Sequence, residues 1–177
     1  MPERDHSEAA PAGAAPRRIV TGHDAKGRGR VLSYGPPPAS RRVPDGASFH
    51  DMWVTTASPA PVTATEPEPI HEDELMGPPA AGTRVRIVDM PPGACSPMHR
   101  TESVDYGVVL EGEITLVLDG GSATTVGQGD LVVQRGTDHA WENRSDKSTR
   151  ILFVLVAGEF ADELRAALPN GGLTHDA

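Results

Sequence analysis

The pattern of apolar and polar positions changes texture at residue 83. From there, short β-rich runs recur at 83–90, 105–110, 113–118, 123–126, 130–134, 139–143 and 150–157. The first run alternates, with Val85, Ile87 and Asp89 on one face and Arg84, Arg86 and Val88 on the other, the period-two signature of a strand. Turn residues punctuate the runs: Pro92 with Gly93, Glu111 with Gly112, Asp119 with Gly120 and Gly121, Gly127 with Gly129, and Gly136. Short strands at this spacing predict an all-β sandwich or barrel over 83–168. Only residues 159–168 carry helical spacing, with Phe160, Leu164 and Leu168 on one stripe and Pro169 as the stop.

The residues ahead of the barrel read differently. Segment 17–82 holds short apolar patches at 18–33 and 49–55 among dense proline, including Pro36, Pro37, Pro38, Pro59, Pro61, Pro67, Pro69, Pro78 and Pro79. Proline lacks an amide donor and fixes φ, so this stretch predicts an extended arm with two or three short edge strands packed on the barrel. Residues 1–16 and 169–177 predict flexible tails.

Composition narrows the function. Asp and Glu number 25 against 16 Lys and Arg, a net charge of −9, which argues against a phosphate-tracking nucleic-acid surface. The lone Cys95 excludes an internal disulfide, a multi-cysteine zinc site and an iron–sulfur cluster. No apolar run reaches the ~20 residues of a membrane helix, and the N-terminus lacks a secretory h-region. The expectation is a cytoplasmic protein of one domain acting on a small molecule, with no nucleic-acid or membrane partner.

Among seven histidines, His6, His23, His71 and His175 lie in loop-like or terminal sequence and read as solvated side chains. His50 reads as an arm residue packing on the barrel, whereas His99 and His139 each open a strand behind a turn. Arg100 and Arg135 read as outward-facing surface, Cys95 as inert, and Glu102 and Ser103 as turn residues near the barrel mouth. In a strand, residues two apart share a face, so Thr101 follows His99 inward, and Trp141 shares the parity of His139. A turn through residues 102–104 brings Asp105 beside them, with Gly107 and Val109 inward and Tyr106 and Val108 outward.

These residues carry a resemblance. Gly93, five residues, His99, Arg100, Thr101, three residues, Asp105, six residues and Gly112 resemble the first motif of the cupin superfamily, which has His-x-His and then Glu at the matching positions. Gly129, four residues, Gln134, Arg135, Gly136, two residues, His139, three residues and Asn143 resemble the second, with Gln134 where proline is common. The resemblance implies a jelly-roll barrel, a double-stranded β-helix, with a small-molecule pocket inside and a sheet edge that often pairs across a homodimer.

It also implies a metal site: His99, Asp105 and His139 as ligands to one divalent transition metal (iron, nickel, manganese or zinc). Thr101 stands in for the second histidine and would position water or a substrate oxygen, and Trp141 would wall the pocket. Two imidazoles and a carboxylate suit a non-haem oxygenase, which is placed slightly ahead of a lyase, dehydratase or isomerase. The departures leave a second reading open, in which Asp105 and His139 work as a metal-free acid/base pair. A third is a cupin that binds a ligand without turnover.

Overall fold

A computed structural model of the chain describes residues 14–65 and 77–172. Of the tails expected over residues 1–16 and 169–177, residues 1–13 and 173–177 lie outside the described residues, as do His6, His71 and His175. Among the described residues eleven strands are formed: β1 (Arg18–His23), β2 (Gly29–Gly35), β3 (Ala39–Arg42), β4 (Ser48–Thr55), β5 (Thr83–Met90), β6 (Ser103–Glu111), β7 (Glu113–Leu118), β8 (Ala123–Gly127), β9 (Leu131–Arg135), β10 (His139–Glu142) and β11 (Thr149–Ala157). A six-stranded sheet runs β3-β4-β5-β11-β6-β9, a three-stranded sheet runs β10-β7-β8, and β1 pairs with β2 as a separate hairpin. The assigned pairings are antiparallel. No helix among the described residues is long and apolar enough to cross a membrane.

The arm does more than decorate the barrel. β4 is an eight-residue strand inside the large sheet, between β3 and β5, and Ala47, Met52 and Val54 are buried in the interior. The barrel therefore starts well before residue 83. The prolines fall between the strands, at 36–38 and 59–61, where the missing amide costs no ladder bond. Helix α1 (Asp162–Ala167) is shorter than its periodicity suggested, and Leu164 is exposed. Phe160, ahead of the helix, makes the anchoring contact and is buried.

The core sits between the sheets, where Val88, Met90, Val109, Ile114, Ile151 and Trp141 pack together. Burying a large aliphatic side chain contributes roughly 1.5–3 kcal/mol, so these positions dominate the stability of the barrel. Residues directly opposite one another on neighbouring strands share a face, and the register lays the inner face out in rows. One row is apolar: Val88, Ile151 and Val109. The next runs Asp51, Arg86, Phe153, Gly107 and Val132. The last runs Val54, Arg84, Leu155, Asp105 and Gln134, and all five are buried. The barrel interior thus grades from hydrocarbon at one end to charge at the other.

Gly107 is needed in the middle row. A Cβ there would lie 2.9 Å from the Phe153 ring, so glycine is what lets that ring cross the strand and meet Trp141 at a centroid distance of 5.3 Å.

Candidate active site

His99 and His139 face one another across an isolated antiparallel bridge. The amide of His99 donates to the His139 carbonyl at 2.9 Å, and the reverse bond measures 2.8 Å. Their side chains fall on one side of this pair, with ring centroids 4.3 Å apart and planes tilted by 46°. Nδ1 of His99 lies 2.9 Å from the Pro97 carbonyl. Nδ1 of His139 lies 3.0 Å from the Thr137 carbonyl and 2.6 Å from the amide nitrogen of Gln134. Both rings thus engage the protein through Nδ1 and leave Nε2 for a ligand. The Trp141 ring stands 5.9 Å from that of His139, edge to face, and links the polar end to Phe153 and the apolar core.

Asp105 enters from β6, with Ser103 ahead of it and Gly107 and Val109 behind it on the same buried face. Tyr106 is exposed, as the parity predicts. The Ser103 hydroxyl donates to Thr101 Oγ1 at 2.8 Å, and Thr101 in turn donates to Asp105 Oδ2 at 3.3 Å. Among the described residues, Oδ1 of Asp105 is buried without a protein partner, and so is Oε1 of Gln134, whose residue lies directly across from Asp105 on β9. Burial pushes the Asp105 carboxyl above the usual carboxylate range, although the hydroxyls of Ser103 and Thr101 and the nearby His99 pull the other way. Burial, and secondarily His99, pushes the His139 imidazole down to about 4, so its ring is neutral at physiological pH.

The structure brings together the residues singled out from the sequence, with some revisions. Residues 103 and 104 belong to β6 rather than to a turn. Arg100 is buried rather than solvated, with its guanidinium 3.4 Å from Asp138. Glu102 holds the C-terminal segment, accepting the Phe160 amide at 2.7 Å and pairing with Arg165. Cys95 is exposed overall, and partial desolvation of its sulfur, with Glu142 nearby, raises the thiol pKa and suppresses reactivity. His50 is buried on β4, bonded to Ser40 at 2.8 Å and 3.3 Å from Asp89.

Reasoning from sequence missed the charges inside the barrel. Arg84 and Arg86 are buried on the same face as Val88, and the Asp51 carboxylate lies 3.3 Å and 2.7 Å from their guanidinium nitrogens. The signal was present in the strict alternation of 83–90, where the arginines share parity with Val88 and Met90.

The expected metal centre meets a geometric test here. Among the described residues, no group of three or more His, Cys, Asp and Glu is placed to hold a metal ion. His99 and His139 come together, but Thr101 supplies a hydroxyl where a second imidazole would stand, and that hydroxyl is turned to Asp105. Burial raises the pKa of Asp105 above the usual carboxylate range. As folded, these residues do not fit a three-ligand metal centre.

Comparison with known proteins agrees with the architecture. The cupin-domain family profile matches residues 86–155. The chain is 41% identical over 159 residues to phomopsin biosynthesis cluster protein C′ of Diaporthe leptostromiformis, covering 86% of this chain and 84% of that one. It is 35% identical over 163 residues to oryzines biosynthesis cluster protein J of Aspergillus oryzae, covering 88% and 87%. It is also 35% identical over 148 residues to the cupin-domain-containing oxidoreductase fogC of Aspergillus ruber, covering 78% and 71%. With the profile lying over β5 to β11 and relatives matched over most of their length, the chain belongs to the cupin family. The breadth of the match with the Diaporthe protein means that β3 and β4 belong to the shared chain and not to an appendage.

Proposed function

We propose that this chain is a small-molecule enzyme of a biosynthetic route, with an oxidoreductase reaction as the class its relatives support. Relatives matching most of the chain are named as products of biosynthesis clusters or as cupin-domain-containing oxidoreductases. One structural observation carries the assignment to a site. Two imidazoles at 4.3 Å and a buried carboxyl share the polar end of a barrel whose other end is hydrocarbon. Charged and orphaned polar groups are costly to bury, and active sites are where such a cost is repaid. In this reading Asp105 gives or takes the proton that accompanies bond making, and Thr101 orients its carboxyl. His99 is the half-buried member, and Trp141 walls the substrate.

A second reading, metal-free acid/base chemistry in a lyase, dehydratase or isomerase, is favoured by the pKa of Asp105, which burial moves toward that of a useful general acid. One experiment separates the readings. The gene is disrupted in its host, the small molecule that accumulates is isolated, and the purified protein is incubated with it and with air. Loss of two hydrogens, or uptake of oxygen, supports the oxidoreductase. An unchanged mass or loss of water moves the assignment to acid/base chemistry. Binding without conversion would overturn both.

A further inference from the structure

We propose that a second copy of this chain docks on the outer face of the six-stranded sheet, each protomer laying its β1–β2 hairpin over β6 and β9 of the other. The inference goes beyond the reaction and does not depend on it.

Two apolar patches are left open on the surface of the described residues. The first is the outward face of the hairpin. Along β1 the side chains alternate, with Arg18, Val20 and Gly22 half-buried or buried and Ile19, Thr21 and His23 exposed. Tyr34 and Val31 lie opposite Ile19 and Thr21 and share that exposed face, on which Ile19 and Val31 keep 58% and 59% of their surface in solvent. The second patch lies at the edge of the large sheet, where Tyr106 and Val108 on β6 stand opposite Val133 and Leu131 on β9. Tyr106, Leu131 and Val133 are exposed there. Single exposed apolar side chains need no account, but two contiguous groups do. A two-stranded hairpin is also marginal on its own, and this one is packed on one face only.

The register places both patches on one surface. Trp53, Val85, Val154, Tyr106 and Val133 form a single outward row across β4, β5, β11, β6 and β9, a span of roughly 19 Å. The hairpin is attached at the β4 end of that row, where the Arg18 guanidinium lies over the Trp53 ring at 5.4 Å and donates to the Met52 carbonyl at 2.5 Å. At the β9 end the row is exposed.

Charge decides how the patches pair. Residues 17–35 carry Arg17, Arg18, Lys26, Arg28 and Arg30 against Asp24 alone, on a chain whose net charge is −9. Hairpin on hairpin would set like charges together, and like charges facing across an interface are costly. The sheet patch is bounded by the exposed Glu111 and Asp130 at one end and by Arg135 at the other. A hairpin whose tip points to the acidic end brings Lys26 and Arg30 to Glu111 and Asp130 while its apolar face covers Tyr106, Leu131 and Val133. A two-fold axis makes each of these contacts twice, so both patches are covered in a closed pair. A face of two strands and six residues measures roughly 200 Å2, so each protomer offers roughly 400 Å2 of flat footprint, about half of the ~800 Å2 a stable complex buries on each partner before side-chain relief is counted. β6 turns Asp105 inward and Tyr106 outward, so the interface rests on the back of the strand that supplies the site's carboxyl.

Sedimentation equilibrium of the full chain is expected to give twice the chain mass. Val31→Glu and Leu131→Glu, both at exposed positions, should each raise the dissociation constant of the pair at least about tenfold, with circular dichroism unchanged. A short bismaleimide, used in a Cys95→Ser background, reads the arrangement. Cross-linked pairs are expected when a Val31→Cys chain is mixed with a Leu131→Cys chain, and not in either chain alone. A monomer at every concentration would overturn the proposal, and so would self-linking of the Leu131→Cys chain, which would mean that β9 edges pair instead. Co-sedimentation of a monomer with vesicles of phosphatidylserine and phosphatidylcholine would overturn it as well and give the basic hairpin a lipid surface as its partner. The mass of the unsubstituted protein is read without any variant, so the result stands whether or not a variant folds.

Discussion

The two ends of the barrel interior obey opposite rules. At one, Val88, Met90, Val109, Ile114 and Ile151 bury hydrocarbon against hydrocarbon, and each contact lowers the free energy of the fold. At the other, Arg84, Arg86, Asp51, Asp105, Gln134 and His139 are equally buried, yet two of their oxygens have no protein partner among the described residues. The same strands build both ends, since β5 carries Arg84 and Arg86 four and two residues before Val88, and β6 carries Asp105 four residues before Val109. Strand parity delivers side chains inward without regard to polarity. The apolar end therefore reports what the fold requires, and the polar end reports what it tolerates for another purpose.

Substitutions should separate the ends. The largest effect is expected for Asp51→Ala, which strips two buried guanidiniums of a shared carboxylate and should cost about 3–5 kcal/mol in urea denaturation. A loss below about 1 kcal/mol would mean that the charges are solvated and the polar end is not buried in solution. Ile151→Ala, at a site only 1% exposed, should follow at about 2–5 kcal/mol and lower Tm by about 2–4 °C per kcal/mol, with residual activity tracking the folded fraction.

Acid should act on the polar end alone. His139 has a folded pKa of about 4 against 6.5 unfolded, so the stability tied to its neutral ring is fully present above pH 6.5 and is lost as pH falls toward 4, on the order of 3 kcal/mol in all. Asp105 runs the other way. Its raised folded pKa means that stability is regained as pH falls and its carboxyl protonates. Denaturation midpoints measured between pH 7 and pH 4 should therefore fall more steeply in Asp105→Asn than in the unsubstituted protein, and should flatten in His139→Phe. The smallest change in stability is expected for Asp105→Asn at neutral pH, a gain of up to about 1 kcal/mol from relieving a desolvated carboxyl. A loss comparable to that of Ile151→Ala would contradict the view that this end is tolerated rather than required.

Much of this architecture is legible in the amino-acid sequence alone. The seven β-rich runs from residue 83 onward correspond to β5 to β11 with boundaries moved by two residues at most, because turn glycines and period-two alternation are local signals. The pairing of His99 with His139 is legible through motif spacing, and the inward parity of Asp105, Gly107 and Val109 through strand geometry. What escapes is non-local. Nothing in the 48–55 run shows that it inserts beside β5, since that depends on a partner strand 28 or more residues away. The network around Gln134 escapes for a related reason: its role lies in distances of 2.6 and 2.8 Å to residues across a turn, and spacing alone records only that proline is missing. Alternation places Arg84 and Arg86 on one face, but their charge points that face outward until the shared carboxylate of Asp51 is known.

The central claim is that the cluster of His99, His139 and Asp105 is where the reaction takes place. Its most direct test is the turnover of the accumulated precursor by Asp105→Asn, measured beside its Tm. The account predicts that the rate falls by about a hundredfold or more while Tm is kept or raised. An unimpaired rate in a folded Asp105→Asn protein would contradict it.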